Sequence, residues 1–256
     1  MRLRIHGSYA NLRPTPNTQQ SPLAKLPAGH LVESAGAAIG SWIPIQTIHK
    51  AFGLSGFIHD SLLRQEINPA VDRLIEIVGE EYERFLFGGL HESHPTAKAR
   101  VRDYWLSFGS FAPEATVEPW SAAFISHAVK KANLPKSFKF AGRHTTYLSD
   151  SKRAFLNQTT SKAYWAVPIR DRVLQIGDMV GAYRTGGNCG SEVKTYDSLP
   201  GDFCSHVDIV VSIVGRTATT IGGNVGDTVK VTEVPLNANG TVATGSKRIT
   251  TMARQY

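Results

Sequence analysis

No run of eighteen apolar residues occurs anywhere in the 256-residue sequence, so no membrane-spanning helix is expected. Lys and Arg form no cluster and no stripe interleaved with aromatics. The formal charge of +7 therefore does not point to a nucleic-acid groove, and it leaves anionic lipid surfaces and acidic cell-wall polymer as polyanionic partners. Behind the basic start Met1-Arg2-Leu3-Arg4 there is no apolar core, so no secretory signal is expected. A substrate outside the cytoplasm would then require delivery by a secretion or injection machine or by phage lysis. Cysteine is nearly absent. Cys189 and Cys204 share one glycine-rich stretch, and read either as a loop-closing disulfide of an oxidising compartment or as two unpaired thiols. Metal ligands are too few for a site. His91-Glu92-Ser93-His94 has no third ligand nearby and reads as a loop, and Cys189, Cys204 and His206 lack a fourth. No cofactor is implied.

Residues 1–63 lack long helical periodicity. Turn residues at Pro14, Pro16, Pro27, Gly29, Gly36, Gly40, Gly53 and Gly56 separate short apolar segments, a spacing that predicts several short strands and a small barrel. Asn68 followed by Pro69 is a helix start, and Val71, Leu74, Ile75, Val78, Tyr82 and Phe85 recur at three- and four-residue spacing until Gly88-Gly89. A second helix is expected over Thr96–Phe108 and a third from Pro119. Beyond residue 170 strands are expected at Val173–Tyr183, Val207–Val214, Thr219–Ile221 and Thr228–Val234. Helices first and an antiparallel sheet afterwards is an α+β layout.

Three segments carry chemistry. In Pro119-Trp120-Ser121-Ala122-Ala123-Phe124 the serine falls in the first helical turn, where the dipole and unpaired N–H groups favour negative charge on a nucleophile or an oxyanion. In Cys204-Ser205-His206-Val207-Asp208-Ile209-Val210, His206 and Asp208 share one face of a strand, and a histidine at the start of a core strand is well placed as a general base. In Ile221-Gly222-Gly223-Asn224 an amide ends the next strand, where a hairpin can set its carbonyl beside His206. His144 lies between these segments and reads as a cleft residue or an ordinary core or surface histidine. Asp208 reads as a substrate-binding or merely outward-facing carboxylate, and Trp120 as a cleft wall or a packing residue.

This order resembles the papain-like cell-wall hydrolases of the CHAP and NlpC type, whose helix reads Trp-Cys-Ala-x-Phe and whose strand reads His-Val-x-Ile-Val. Gly177-Asp178-Met179-Val180 resembles their Gly-Asp-Leu-Val strand, and the chain also resembles an uncharacterised bacterial branch that keeps Pro-Trp-Ser-Ala-Ala-Phe-Ile-Ser. The resemblance covers roughly residues 100–235. Upstream, Asn11-Leu12-Arg13, Leu26-Pro27-Ala28-Gly29, Gly40-Ser41-Trp42 and Gly56-Phe57-Ile58 resemble the bacterial SH3-type domains of wall enzymes. The resemblance implies an SH3-like β-barrel over 1–63 and a papain-like hydrolase domain over 64–256. It implies an amidase or endopeptidase acting on peptidoglycan stem peptide, as a phage-type lysin or an antibacterial effector with an immunity or delivery partner. In that scheme Ser121 is nucleophile, His206 base and Asn224 the residue that orients it, with Trp120, His144 and Asp208 around the substrate.

Ser121 stands where those enzymes carry cysteine. A hydroxyl ionises far less readily than a thiol and depends fully on its base. Three readings are open: a natural serine enzyme, whether amidase or esterase; an inactive substitution; or a domain that binds wall material without cutting it.

Overall fold

The computed structural model describes residues 1–48, 53–113, 118–243, 245 and 247–256. Seven short strands come first: β1 (Arg2–Ile5), β2 (Tyr9–Leu12), β3 (Ala24–Pro27), β4 (Leu31–Ser34), β5 (Trp42–Thr47), β6 (Ser55–His59) and β7 (Leu63–Arg64). They form a five-stranded sheet in the order β6-β5-β4-β1-β7 and a separate β2-β3 ribbon, around a small core that includes Leu3, Ile5, Leu12, Leu26, Val32, Ile45 and Ile58. The expected barrel is not closed among the described residues. A single bridge, Arg13 to Phe57, links the ribbon to β6. The strand β7 pairs Leu63 and Arg64 with Ile5 and Arg4, so it lies across the boundary expected at 63/64.

The next element ties this unit to the rest. Helix α1 (Pro69–Arg84) begins where Asn68 Oδ1 accepts from Val71 N–H at 2.9 Å, with Pro69 in the first turn. Its Gly79 lies against the backbone of Ala28, and a Cβ there would stand 2.1 Å from the Ala28 carbonyl oxygen. Ala28 accordingly belongs to the main core with Leu74, Ile75 and Val78. The two parts of the chain share packing.

Helices α2 (Pro95–Ser107), α3 (Ser121–Ala132) and α4 (His144–Leu156) follow, then β8 (Tyr164–Pro168), β9 (Met179–Tyr183), β10 (Ser205–Val214), β11 (Thr217–Gly222), β12 (Lys230–Pro235) and β13 (Arg248–Arg254). The six strands make one sheet in the order β12-β11-β10-β9-β13-β8, with every pairing antiparallel. The mixed layout matches the α+β expectation. Helix α3 is apolar on nearly every side because it is buried between α1, α2 and the sheet. The segment His91–His94 serves as a capping turn: His94 Nδ1 accepts from Thr96 N–H at 3.2 Å, and the Glu92 carboxylate accepts from the Trp120 indole at 2.7 Å. Residues 173–178, expected in a strand, form a turn in which buried Asp178 accepts from the N–H groups of Gln175 and Arg254. Gly177 in that turn has φ of +90°, which only glycine adopts without strain. No described helix is long and apolar enough to cross a membrane.

Candidate active site

The first hydrogen bond of α3 runs from Phe124 N–H to the Trp120 carbonyl, so the N–H groups of Ser121 and Ala122 lie ahead of the helical ladder. Trp120 holds that end in place. Its ring is fully buried, stacks on Phe85 at 5.6 Å and is fixed through its N–H to Glu92. Of the two readings the sequence leaves for Trp120, cleft wall or packing residue, this burial is that of a packing residue, and Trp120 is not in the cavity lining.

Ser121 Oγ lies 2.6 Å from His144 Nε2. His144 is the first residue of α4, and its Nδ1 bonds to the hydroxyl of Tyr147, one turn along the same helix. Burial, followed by the nearby His206 and Arg184, holds the His144 pKa well below its ordinary 6.5. Burial, then Asp208, pushes the Tyr147 phenol well above its ordinary value, so it stays a neutral hydroxyl. Serine, neutral imidazole and phenol thus form one hydrogen-bonded row.

His206 is placed differently from the expectation. Its ring packs edge-on against that of His144, with centroids 5.4 Å apart, and both of its nitrogens are engaged. Arg184 Nη2 reaches Nδ1 at 3.0 Å, and Asp208 Oδ1 reaches Nε2 at 2.7 Å. Arginine can only donate, so Nδ1 accepts and Nε2 carries the hydrogen given to Asp208. Neither nitrogen is left for Ser121. Asn224 does not orient this ring either: it follows the end of β11 with φ of +57°, and among the described residues no hydrogen bond joins it to His206. The carboxylate that does so is Asp208, two residues along the same strand, which also accepts from Thr220 at 3.4 Å. Gly222 makes room for the pair, since a Cβ there would stand 1.8 Å from Asp208 Oδ1 and 3.0 Å from His206 Nε2.

Ser121, Ala122 and His144 open onto a cavity of about 560 Å³ whose far wall is the segment between β9 and β10. Several ties hold that wall. Cys189 and Cys204, both lining the cavity, form a disulfide with Cα atoms 5.4 Å apart. From α4, the largely buried Lys152 donates to the carbonyls of Tyr196 and Leu199 at 3.0 and 2.7 Å. Arg143 and Asp202 pair at the rim. Among the described residues no group of three side chains is arranged to hold a metal ion.

Residues 93–256, more than half of the chain, match the family described as "Uncharacterized protein conserved in bacteria (DUF2272)", and the chain belongs to that family. No curated protein matches the sequence. Among solved structures, NlpC2 from Trichomonas vaginalis aligns over 99% of this chain and 74% of its own at 12% identity, with a TM-score of 0.33. NlpC1 from the same organism aligns over 100% and 69% at 14% identity, with a TM-score of 0.30. Similarity at this level assigns no activity to the chain.

Proposed function

We propose that this protein is a serine hydrolase of papain-like layout that cleaves a peptide or amide bond in peptidoglycan stem peptide. The observation that carries the reading is the Ser121–His144 contact at the start of α3, open to the cavity. In this mechanism Nδ1–H of His144 donates to Tyr147, which leaves Nε2 to take the proton of Ser121 as Oγ attacks the substrate carbonyl carbon. The tetrahedral oxyanion is met by the N–H groups of Ser121 and Ala122 and by the positive end of the helix. His144 then gives its proton to the leaving amine, and water repeats the sequence on the acyl-serine ester. His144 takes the role that the sequence suggested for His206, while His206 and Asp208 wall the base.

The wall substrate is supported by the motif resemblance over residues 100–235 and by the net positive charge, which suits an acidic polymer. Within the same reading the N-terminal strands are an SH3-like wall-binding unit, delivery is by a secretion or injection machine or by phage lysis, and an immunity protein is a partner.

Digestion of purified peptidoglycan with mass analysis of the soluble products tests the proposal. New amine and carboxyl ends are expected from the parent protein and none from Ser121→Ala. Wall binding without product release, or turnover of simple esters alone, would overturn it.

A further inference from the structure

The ionised side chains of the cavity are mostly matched. Arg143 pairs with Asp202, and Lys194 with Glu192 at 2.6 Å. Among the described residues Arg184 and the exposed carboxylate of Glu118 are the exceptions. Arg184 lines the cavity, and among the described residues its guanidinium has one hydrogen-bond partner, His206 Nδ1 at 3.0 Å, with no carboxylate at ion-pair distance, although the Asp208 carboxylate on the other side of that ring acts on it through space. A guanidinium carries five N–H donors in a planar fork. One of them is used on the ring, and burial, the main influence on this group, has removed much of the water that would otherwise satisfy the rest. A half-buried arginine with spare donors beside an open cavity is suited to a bidentate carboxylate.

Its position sets where that carboxylate would lie. Arg184 touches His206, His206 packs on His144, and His144 holds Ser121, so three contacts link the guanidinium to the nucleophile, and Arg184, His144 and Ser121 line the same cavity. We propose that Arg184 binds a free carboxylate of the acyl substrate close to the scissile bond, so that the site selects anionic peptides over their amidated counterparts. This rests on the acyl-transfer reading and names the substrate class for it. A carboxylate bound there would also offset a cation that now disfavours protonation of His144.

The test measures binding and needs no turnover. In the Ser121→Ala background, the affinities of an acetylated stem tetrapeptide with free carboxylates and of the same peptide fully amidated are measured by calorimetry at fixed salt. The carboxylate form should bind about tenfold tighter or more, as one charge-assisted pair allows. Arg184→Met should bring the two to within about twofold, and Arg184→Lys should keep part of the preference, since a point charge lacks the fork. A merely structural role for Arg184 would weaken both peptides alike and leave their ratio unchanged. Equal affinities, no binding of either peptide, or a preference that survives Arg184→Met would overturn the inference. If the preference holds while the parent releases nothing from peptidoglycan, the acyl-transfer reading fails and the carboxylate site stands.

Discussion

Ser121 and His144 are the first residues of two consecutive helices, and Oγ of one lies 2.6 Å from Nε2 of the other. Each sits at the positive end of a helix. That placement favours an alkoxide or oxyanion at Ser121 and disfavours an imidazolium at His144, so the resting pair is a hydroxyl donating to a neutral ring.

The pair should therefore act as one unit. Ser121→Ala and His144→Ala should each lower kcat about a thousandfold or more, and the double variant should lose little beyond either. His206→Ala should cost less, because its nitrogens face Arg184 and Asp208 rather than the nucleophile. Steady-state rates of the four variants decide this. A larger loss at His206 than at His144 would return the base to β10. Ser121→Cys should retain turnover, because a thiol needs less help to ionise.

The pH dependence has a fixed sign. His144 works as a base only when neutral, and its pKa is held below 6.5, so the acidic limb of kcat/KM should fall below pH 6.5. Stability follows the same direction. His127, buried beside Arg100, is pushed down to about 4 by burial and by that cation. As pH drops through 6.5 the unfolded chain takes up protons on these rings while the folded chain refuses them, so stability declines towards pH 4. Melting temperatures between pH 7.5 and 4.5 test this, and His127→Gln should flatten the slope.

How far these features could be read from the sequence differs by element. The start of α1 is legible because Asn68 and Pro69 carry the capping chemistry themselves; for α3 the proline signals a helix start nearby, but the helix opens at Ser121 with Trp120 as its N-cap, which leaves Pro119 outside the first turn expected for it. Helix α4 is not legible. Arg143 at its N-cap makes no side-chain cap bond, and Thr145, Thr146 and Tyr147 are weak helix formers, so the sequence places His144 on no helix and leaves it as a cleft residue or an ordinary core or surface histidine. The signal available was the spacing of His144, Tyr147, Leu148 and Ser151, all buried on one face. Asn224 was misplaced because strand alternation stops at Gly222, after which the turn takes the left-handed conformation and strand geometry no longer places the side chain. Trp120 and Asp208 were found as residues of the site's neighbourhood. The partner of Trp120, Glu92, lies 28 positions away and depends on a tertiary contact that spacing does not encode, whereas the pairing of Asp208 with His206 follows from the strand alternation that puts both on one face.

The disulfide should matter for the cavity wall. Closing a loop between cysteines 15 positions apart contributes about 3 kcal/mol in the chain-entropy estimate. Protein unfolded without reductant should show no free thiol. Reduction, or Cys189→Ala with Cys204→Ala, should lower the melting temperature and raise KM more than it lowers kcat, because the cysteines line the substrate wall and the hydrogen bonds of Ser121 and His144 run to one another and to Tyr147. Two free thiols in the unreduced protein would contradict this.

Two glycines test the packing. Gly79→Ala places a methyl against the Ala28 carbonyl and should cost about 1–3 kcal/mol by forcing α1 from the N-terminal strands. Denaturant midpoints measure it. Gly222→Ala should separate His206 from Asp208 and lower activity more than stability. No change in either property would place these contacts wrongly.

The central claim is that His144 activates Ser121, and covalent trapping tests it most directly. After treatment with a fluorophosphonate that phosphonylates activated serines, intact-mass spectrometry should show one adduct per chain, mapped by peptide sequencing to Ser121. The adduct should be absent in Ser121→Ala, form about a hundredfold more slowly or worse in His144→Ala, and still form readily in His206→Ala. An adduct on another residue, no adduct at all, or a rate at Ser121 indifferent to His144 would contradict the account.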